Sequence, residues 1–413
     1  MKPANLVLAA FVIFGTAETH AQPGPSGSDS TLVDEALQEY QERIRYGFFV
    51  DPFSVYSTTY GFGLRGLATV YNLPFTGSRL RLQARPYQRR GLYSLTLRSH
   101  DPADSDVFGL FRARFESTGA YRYYGIGSGS SEDNRLFVDM DRLELLFRLG
   151  IQLADDRYMI QPFIQYTADK AFGLDIDDDP SGLDLVSSDN LDFVLGQRAG
   201  ASGVADNSHR GFKVGLSLVT DYRDRPAYPT SGARASLTGL RYFSNDDFDV
   251  TFNQFRADGQ VFIGLSGDHV LAFRALMERT VNRGEDPIPF YLLPEIDYSV
   301  LGGYKGHRLI DDDMLVLTAE YRWPVVNITD LYQVSGFAQA GVGNVYQNID
   351  QVELSVSFDR NPGSDALRPG FGLGIRVAAL EQGRDLIYWM LGVSPEGVTV
   401  ASFRFVHSLT DIQ

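Results

Sequence analysis

The chain has 413 residues, of which 41 are glycine, 22 tyrosine and 28 phenylalanine. Its formal net charge of -15 argues against a nucleic-acid partner, which would need a basic surface, and the absence of cysteine excludes disulfides, thiolate catalysis and cysteine-ligated zinc. Aromatic and β-branched residues recur in short runs separated by Gly, Asp, Asn and Pro, a pattern typical of many strands joined by turns. The composition therefore predicts an all-β protein.

Residues 1–21 have the features of a secretory signal peptide. A single lysine, Lys2, precedes an apolar core from Leu6 to Gly15, and small residues lead to a cleavage site after Ala21. The apolar core is too short to span a bilayer as a helix. We therefore expect the mature protein to leave the cytoplasm.

Residues 22–50 are predicted to be a periplasmic linker and an amphipathic helix. The first part, "QPGPSGSD", is typical of a flexible linker. In segment 30–47, "STLVDEALQEYQERIRYG", apolar side chains recur at helical spacing behind a Ser-Thr cap. We expect this helix to rest on the rim of the domain that follows; a plug inside that domain is the alternative.

Residues 51–413 are dominated by strict alternation of apolar and polar residues. The stretch from Arg142 to Leu153, "RLELLFRLGIQL", places six apolar side chains on one face of a strand and Arg142, Glu144, Arg148 and Gln152 on the other. The same pattern recurs in "GLFRARFES" and from Leu315 to Trp323. One face of each strand is apolar and the other is charged.

The length of these segments favours a transmembrane β-barrel over a soluble sandwich. Many run to about ten residues or more, enough to cross a bilayer at a tilt, whereas sandwich strands are usually about five or six residues long. A charged side chain facing lipid would cost about 2–4 kcal/mol at mid-depth, so the charged face is expected to line the lumen. Fifteen candidate segments can be counted, the first long enough to contain a turn. Bacterial barrels have even strand numbers, so sixteen strands are predicted.

No motif indicates catalysis or a cofactor. The mature chain has five histidines but no G-x-S-x-G nucleophile motif. The run "LDIDDDPSGLD" resembles the start of a calcium loop, but Pro180 occupies the position of the required glycine. We therefore expect no enzyme activity, no cofactor and no metal.

Four stretches in consistent order resemble the BamA/TamA superfamily of outer-membrane barrels, also called the bacterial surface antigen family. They are "DYRDRPAYPTSGARASL" at 221–237, "LGGYKGHRLIDDDMLVLTAEYRWPV" at 301–325, "GFAQAGVGNVY" at 336–346 and "RPGFGLGIRV" followed by a last hairpin. The second contains a glycine pair and a loop motif ahead of a strand with Glu-Tyr-Arg. With the family-like turn "YRYYGIGSGSS" at 121–131, the resemblance spans roughly residues 120 to 408.

The resemblance implies a sixteen-stranded barrel of the bacterial outer membrane whose sixth external loop folds back into the lumen. In the family, an arginine of that loop pairs with acidic groups on the inner wall. Members insert other barrels into the membrane or export proteins, and a weak seam between the first and last strands acts as a lateral gate. The implied partners are outer-membrane lipid and unfolded outer-membrane protein clients.

This sequence departs from the family pattern in two functional places. Lys305 stands where the family has its loop arginine, and His307 where it has an aromatic residue. Lysine keeps the charge but lacks the bidentate fork of arginine, so either Lys305 makes a looser contact or Arg308 takes the role. Only about 30 residues separate the signal from the first predicted strand, too few for a periplasmic POTRA domain. A separate periplasmic partner could supply that function.

The resulting hypothesis is a barrel that assembles or translocates outer-membrane components. Its loop motif comprises Gly302, Gly303, Tyr304, Lys305, Gly306, His307 and Arg308. We expect the motif to dock on inner-wall acids, with Glu320 and Asp221 or Asp224 as candidates. The alternatives are a passive, porin-like channel and, as a third class, a lipid-modifying enzyme.

Overall fold

The computed structural model describes the backbone of most of the chain from residue 46 to residue 404. The described ranges are 46–51, 56–57, 61–62, 65–71, 78–87, 90–99, 106–130, 136–153, 157–172, 207–225, 228–298, 300–328, 332–359, 366–379 and 384–404. The predicted signal peptide and residues 30–45 of the predicted helix lie outside these ranges, while Tyr46 and Gly47 begin the first strand.

Within the described ranges, sixteen strands of 6 to 18 residues form the architecture. They are β1 (Tyr46–Asp51), β2 (Arg65–Tyr71), β3 (Arg79–Tyr87), β4 (Arg90–Arg98), β5 (Val107–Tyr123), β6 (Leu136–Leu153), β7 (Tyr158–Phe172), β8 (Asn207–Asp221), β9 (Gly232–Ser244), β10 (Thr251–Gly264), β11 (Val270–Asn282), β12 (Asp313–Ile328), β13 (Tyr332–Tyr346), β14 (Ala366–Ala379), β15 (Arg384–Ser394) and β16 (Gly397–Arg404). Each pairs antiparallel with the next in chain order, from β1 to β16. This confirms the predicted all-β, sixteen-stranded barrel.

Short elements occupy some of the connections. Tyr56–Ser57 pairs with Gly61–Phe62, Glu295–Ile296 pairs with Leu309–Ile310, and Glu353–Val356 runs parallel to the start of β14. Single 3₁₀ turns lie at Ser266–Asp268, Phe290–Leu292 and Ile349–Gln351. No helix among the described residues is long and apolar enough to cross a membrane.

The two faces of the strands differ as the alternation predicted. On β6, Phe147 is 53% exposed while the adjacent Arg148 is 6% exposed, and on β14 Leu373 is 56% exposed while Arg376 is 6% exposed. We call the face with the exposed apolar side chains the outer face and the opposite one the inner face. Ion pairs such as Arg274 with Asp258 (2.7 Å) line the inner face.

The structure differs most from the prediction at the first predicted segment, 55–71. It contains part of a connection and only one barrel strand, β2, whereas β1 lies further upstream at Tyr46–Asp51. The register pairs Tyr46 with Val70 and Asp51 with Arg65. The sixteenth strand is thus β1, which lies before the predicted segment, and the first part of the segment belongs to the β1–β2 connection.

The apolar core of the barrel is built largely by one connection. We call residues 283–312, between β11 and β12, loop 6. Phe290 and Ile310 belong to a buried cluster with Tyr121 of β5 and Phe252 of β10, and Leu301 and Tyr304 belong to a second cluster with Val316 and Val345. Loop 6 therefore packs against the inner face rather than extending away from the barrel.

Candidate functional site in loop 6

The predicted loop motif is among the most buried parts of the chain. Leu301, Tyr304 and Arg308 are each 0% exposed, whereas Lys305, Gly306 and His307 between them are partly exposed. The Tyr304 hydroxyl donates a hydrogen bond to the carbonyl of Pro369 at 3.1 Å. Burial among apolar groups and the nearby Glu396 carboxylate raise the pKa of Tyr304, so it stays a neutral donor.

Glycines in loop 6 and in strands β14 and β15 allow the loop to lie directly on the inner face of the barrel. Gly303 has a φ of +91°, a left-handed conformation that favours glycine, and a Cβ there would lie 2.4 Å from the carbonyl of Val393 on β15. A Cβ on Gly370 of β14 would lie 2.2 Å from the carbonyl oxygen of Gly302, and one on Gly392 would lie 2.3 Å from the amide nitrogen of Gly303. Backbone thus meets backbone, and side chains larger than hydrogen would separate the two surfaces.

Arg308 forms a bidentate ion pair with Glu396. Its Nε donates to Oε2 at 2.8 Å, and its Nη2 lies 2.7 Å from Oε1. Glu396 lies in the β15–β16 connection, residues 395–396, which we call loop 8. Arg368 of β14 shares the same carboxylate, with Nη1 at 3.3 Å from Oε1. Both arginine side chains are at most 2% exposed.

The β5–β6 connection, residues 124–135, completes the cluster, and we call it loop 3. Arg308 donates from Nη1 to the Ser130 hydroxyl and from Nη2 to the Ser130 carbonyl, both at 2.8 Å. Its guanidinium also stacks 5.1 Å from the centre of the Tyr124 ring, and Arg368 donates to the Ser128 carbonyl. The buried guanidinium of Arg308 thus joins loops 3, 6 and 8. We call Arg308, Arg368, Glu396 and Ser130 together the Arg308 cluster.

A second contact holds the middle of the motif. The Nδ1 of His307 lies 2.6 Å from Oε2 of Glu295, and its ring stacks on Tyr121 of β5 at 3.9 Å between centroids. Burial disfavours the charged imidazolium, but the Glu295 carboxylate outweighs it and raises the pKa of His307. Burial likewise opposes ionisation of Glu295, but His307 outweighs it and lowers the pKa of that carboxyl. Both shifts favour an ion pair. His307 has a φ of +57°, a left-handed conformation that is uncommon outside glycine.

The three proposed inner-wall acids have other partners. Glu320 lies on the inner face of β12, where Arg322 and Arg376 pair with it, the latter at 3.1 Å. Asp221 pairs with Arg223, from Oδ1 to Nε at 2.8 Å. Asp224 accepts hydrogen bonds from the amides of Thr230 and Ser231 at 2.9 and 3.1 Å. Arg308 pairs with Glu396 instead.

Topology explains this arrangement. In an antiparallel barrel, connections that follow odd-numbered strands lie at one end and those that follow even-numbered strands at the other. Loops 3 and 6 follow β5 and β11, and loop 8 follows β15, so the three meet at one end. Asp221 and Asp224 lie by the β8–β9 turn at the opposite end. That turn has its own contacts: Tyr228 bonds to Ser335 at 2.6 Å, and Arg322 donates to the Pro229 carbonyl at 3.2 Å.

Four residues of these contacts are not predicted by the sequence: Glu396, Arg368, Ser130 and Glu295. Arg368 and Ser130 both fall inside stretches that carried the family resemblance, "RPGFGLGIRV" and "YRYYGIGSGSS". Glu396 stands in "SPEG", which has the composition of a hairpin turn. A lone turn acid carries no signal of a buried partner in sequence. No group of three or more His, Asp or Glu side chains suited to a metal ion occurs among the described residues.

A model of the Omp85 superfamily domain matches residues 76–379. The chain belongs to the Omp85 superfamily. The match extends from just before β3 to the end of β14, loop 6 included, and confirms the resemblance drawn from the motifs. This Omp85 protein is a β-barrel of the bacterial outer membrane.

Solved structures agree on the fold. BamA from Haemophilus ducreyi lacking POTRA domains 1–3 superposes with a TM-score of 0.56 at 13% identity, over 93% of this chain and 79% of that one. CdiB from Escherichia coli superposes with a TM-score of 0.53 at 11% identity, over 87% of this chain and 61% of that one. No curated protein matches the sequence. At such identities the likeness concerns the fold alone.

Proposed function

We propose that this Omp85 barrel assembles or translocates polypeptides at the outer membrane, with loop 6 held inside the lumen as the element that sets the state of the barrel. The observation that carries the proposal is the Arg308–Glu396 ion pair, which is buried and bidentate. This pair joins loops 3, 6 and 8 through one guanidinium, so making or breaking it would distinguish two states of the barrel.

The position of Glu396 connects loop 6 to the last hairpin. Glu396 lies between β15 and β16, and β16 is the final strand of the barrel. The resemblance implies a lateral gate between the first and last strands, which are β1 and β16 here. Docked loop 6 would brace the hairpin beside that gate, and undocked loop 6 would release it. A client strand could then pair with the exposed edge of β16 by β-augmentation, which requires no covalent chemistry.

The proposed partners are outer-membrane lipid, unfolded outer-membrane proteins and, for delivery, a separate periplasmic protein. Such clients would approach the gate from within the membrane or from the periplasm. The work done on them is strand pairing and insertion. Neither requires a cofactor or a metal.

Reconstitution tests the proposal. The purified full chain is placed in liposomes, a small outer-membrane barrel is added from urea, and its folded fraction is measured over time by heat-dependent migration on gels. We expect faster client folding than in empty liposomes, and a changed rate with Arg308→Ala. The matched control is Arg225→Ala, at an exposed position in the β8–β9 turn. Equal client folding in protein-containing and empty liposomes would refute a role in inserting outer-membrane proteins. Polypeptide export would then be the activity to measure.

A passive channel is the second candidate, and the charged inner face favours it. Pairs such as Arg256 with Glu278 (3.2 Å) are compatible with a water-filled lumen, and sixteen strands enclose one unless something fills it. Planar-bilayer recording separates the two functions. A large, steady conductance supports the channel, whereas a mostly closed, flickering signal supports a barrel occupied by loop 6.

A further inference from the structure

Five arginines gather on the inner face of β3 to β6, away from the Arg308 cluster. They are Arg79, Arg81, Arg98, Arg112 and Arg148. The strand register sets their spacing: Arg79 lies opposite Arg98, Arg98 lies opposite Leu110, and Leu110 lies opposite Arg148. In the next row, Arg81 faces Thr96, which faces Arg112. Since neighbouring strands are about 4.8 Å apart, the group spans roughly 15 Å.

Like charges directly across a strand pair destabilise a sheet, so this arrangement needs compensation. Within the group, Arg112 forms an ion pair with Glu144 at 3.9 Å. Glu144 is shared with Arg114, at 3.7 Å, and Arg114 also pairs with Glu116, at 2.5 Å. Arg81, Arg98 and Arg112 make further contacts. Arg79 and Arg148 are the remaining two members of the group, and the contacts of Arg148 are the better defined.

Arg148 is a buried cation with two unused donor nitrogens. It is 6% exposed, and its Nε and Nη1 have no hydrogen-bond partner. Its guanidinium stands 5.3 Å from the centre of the Phe163 ring, which offers an attractive π-face but no acceptor. Leaving two donor nitrogens of a buried guanidinium unpaired is costly. An anion placed against it would use those donors and offset the repulsion from the neighbouring arginines.

We propose that this group, which we call the arginine wall, binds an oxyanion of the phosphate or carboxylate class. Guanidinium forks match such anions bidentately, and several converging forks select them over chloride. The chain as a whole carries a net charge of -15, so a basic patch inside the lumen is a local inversion of the field that would concentrate anions there. The anion could come from inorganic phosphate in solution or from the carboxylates of an acidic peptide.

Calorimetric titration tests the arginine wall. The purified full chain in neutral detergent is titrated with sodium phosphate at constant ionic strength in chloride buffer. We expect saturable binding that weakens at least about tenfold with Arg148→Gln, because a charge-assisted contact is lost. Arg225→Gln, at an exposed turn position, is the charge-matched control and should bind phosphate like the wild type.

Arg79→Gln is the second variant, because Arg79 is only partly buried and its loss is less costly to folding. It should also weaken phosphate binding, and it decides the matter if Arg148→Gln fails to fold. Competition of hexaglutamate with phosphate would assign acidic peptides as the source, and phosphate binding without competition would assign inorganic anions. Absence of saturable binding, or unchanged phosphate affinity in folded variants, overturns the site.

Discussion

Arg308 and Glu396 are 88 residues apart in sequence, yet they form a buried bidentate ion pair between loop 6 and loop 8. Removing one partner of such a pair leaves an uncompensated charge and typically costs about 3–5 kcal/mol. Arg368 remains beside Glu396 and limits the loss. We expect Arg308→Ala to lower the stability of the barrel by about 2–4 kcal/mol, measured as a lower urea midpoint of heat-modifiable migration.

Arg308→Lys is the informative companion to this variant. It preserves the charge but cannot hold both oxygens of Glu396 and both acceptors of Ser130, so we expect it to recover only part of the loss. Full recovery would mean that charge alone holds the loop.

The coupling between loop and wall can be assigned by double-mutant cycles. We expect a coupling energy of about 1–3 kcal/mol between Arg308 and Glu396, because the groups are in contact and buried. Between Arg308 and Glu320 we expect a coupling energy near zero, since Glu320 is held by Arg322 and Arg376. Urea unfolding of the single and double variants, with alanine at 308 and glutamine at 396 or 320, gives both values. A large Arg308–Glu320 coupling would instead support Glu320 as an inner-wall partner of loop 6.

Glycine contacts make a separate prediction. A methyl group at Gly303 or Gly392 would clash with backbone atoms at 2.4 or 2.3 Å, so we expect alanine at either position to displace loop 6. The natural lack of cysteine permits a direct measurement: Lys305→Cys is labelled with a membrane-impermeant maleimide, with and without the alanine substitution. We expect the maleimide to label position 305 faster when the alanine substitution is present, because displaced loop 6 exposes that position. Gly259→Ala is the control, since a Cβ there meets nothing within 4 Å.

The His307–Glu295 pair predicts a pH dependence. His307 has a raised pKa, so its stabilising contribution is complete below the unfolded value of about 6.5 and is lost as pH rises through the folded pKa. Glu295 has a lowered pKa, so its contribution is complete above about 4.3 and is lost as pH falls through the folded pKa. Loop 6 should therefore dock best between about pH 4.3 and 6.5.

Maleimide labelling of Lys305→Cys across pH, corrected for the thiolate fraction with a reference thiol, checks this expectation. The other ionisable groups near His307 are Asp297 of loop 6, Tyr121 of β5 and Arg142 of β6. His307→Gln should flatten the profile above pH 6.5, because the group that titrates there is absent. An unchanged profile in that variant would assign the effect elsewhere.

The barrel could be predicted from sequence because alternation alone separates the two faces. Leu145 and Phe147 point outward and Arg148 points inward because successive side chains of a strand lie on opposite faces. The faces of each strand can therefore be assigned from its own sequence alone. The first strand was misplaced, since segment 55–71 joins a connection to β2 without an obvious break in its pattern.

The Arg308 cluster could be predicted only in part. The motif located loop 6, and the substitution of Lys305 pointed to Arg308 as an alternative. Its acid could not be found, because Glu396 and Ser130 reach Arg308 through barrel closure, which brings together positions 88 and 178 residues away. Glu320 faces inward as assumed, but Arg322 is two residues along the same strand and hence on the same face, so it reaches Glu320 first.

Gly303, Gly370 and Gly392 let loop 6 contact β14 and β15 through main-chain atoms. This affects how the sequence of this family member could diverge. A surface recognised through main-chain atoms imposes few demands on side-chain identity, so Lys305 and His307 could replace the family's residues without loss of the seat on which the motif rests. The tolerance is one-sided. Positions 305 and 307 can change, while positions 303, 370 and 392 admit almost no side chain other than hydrogen.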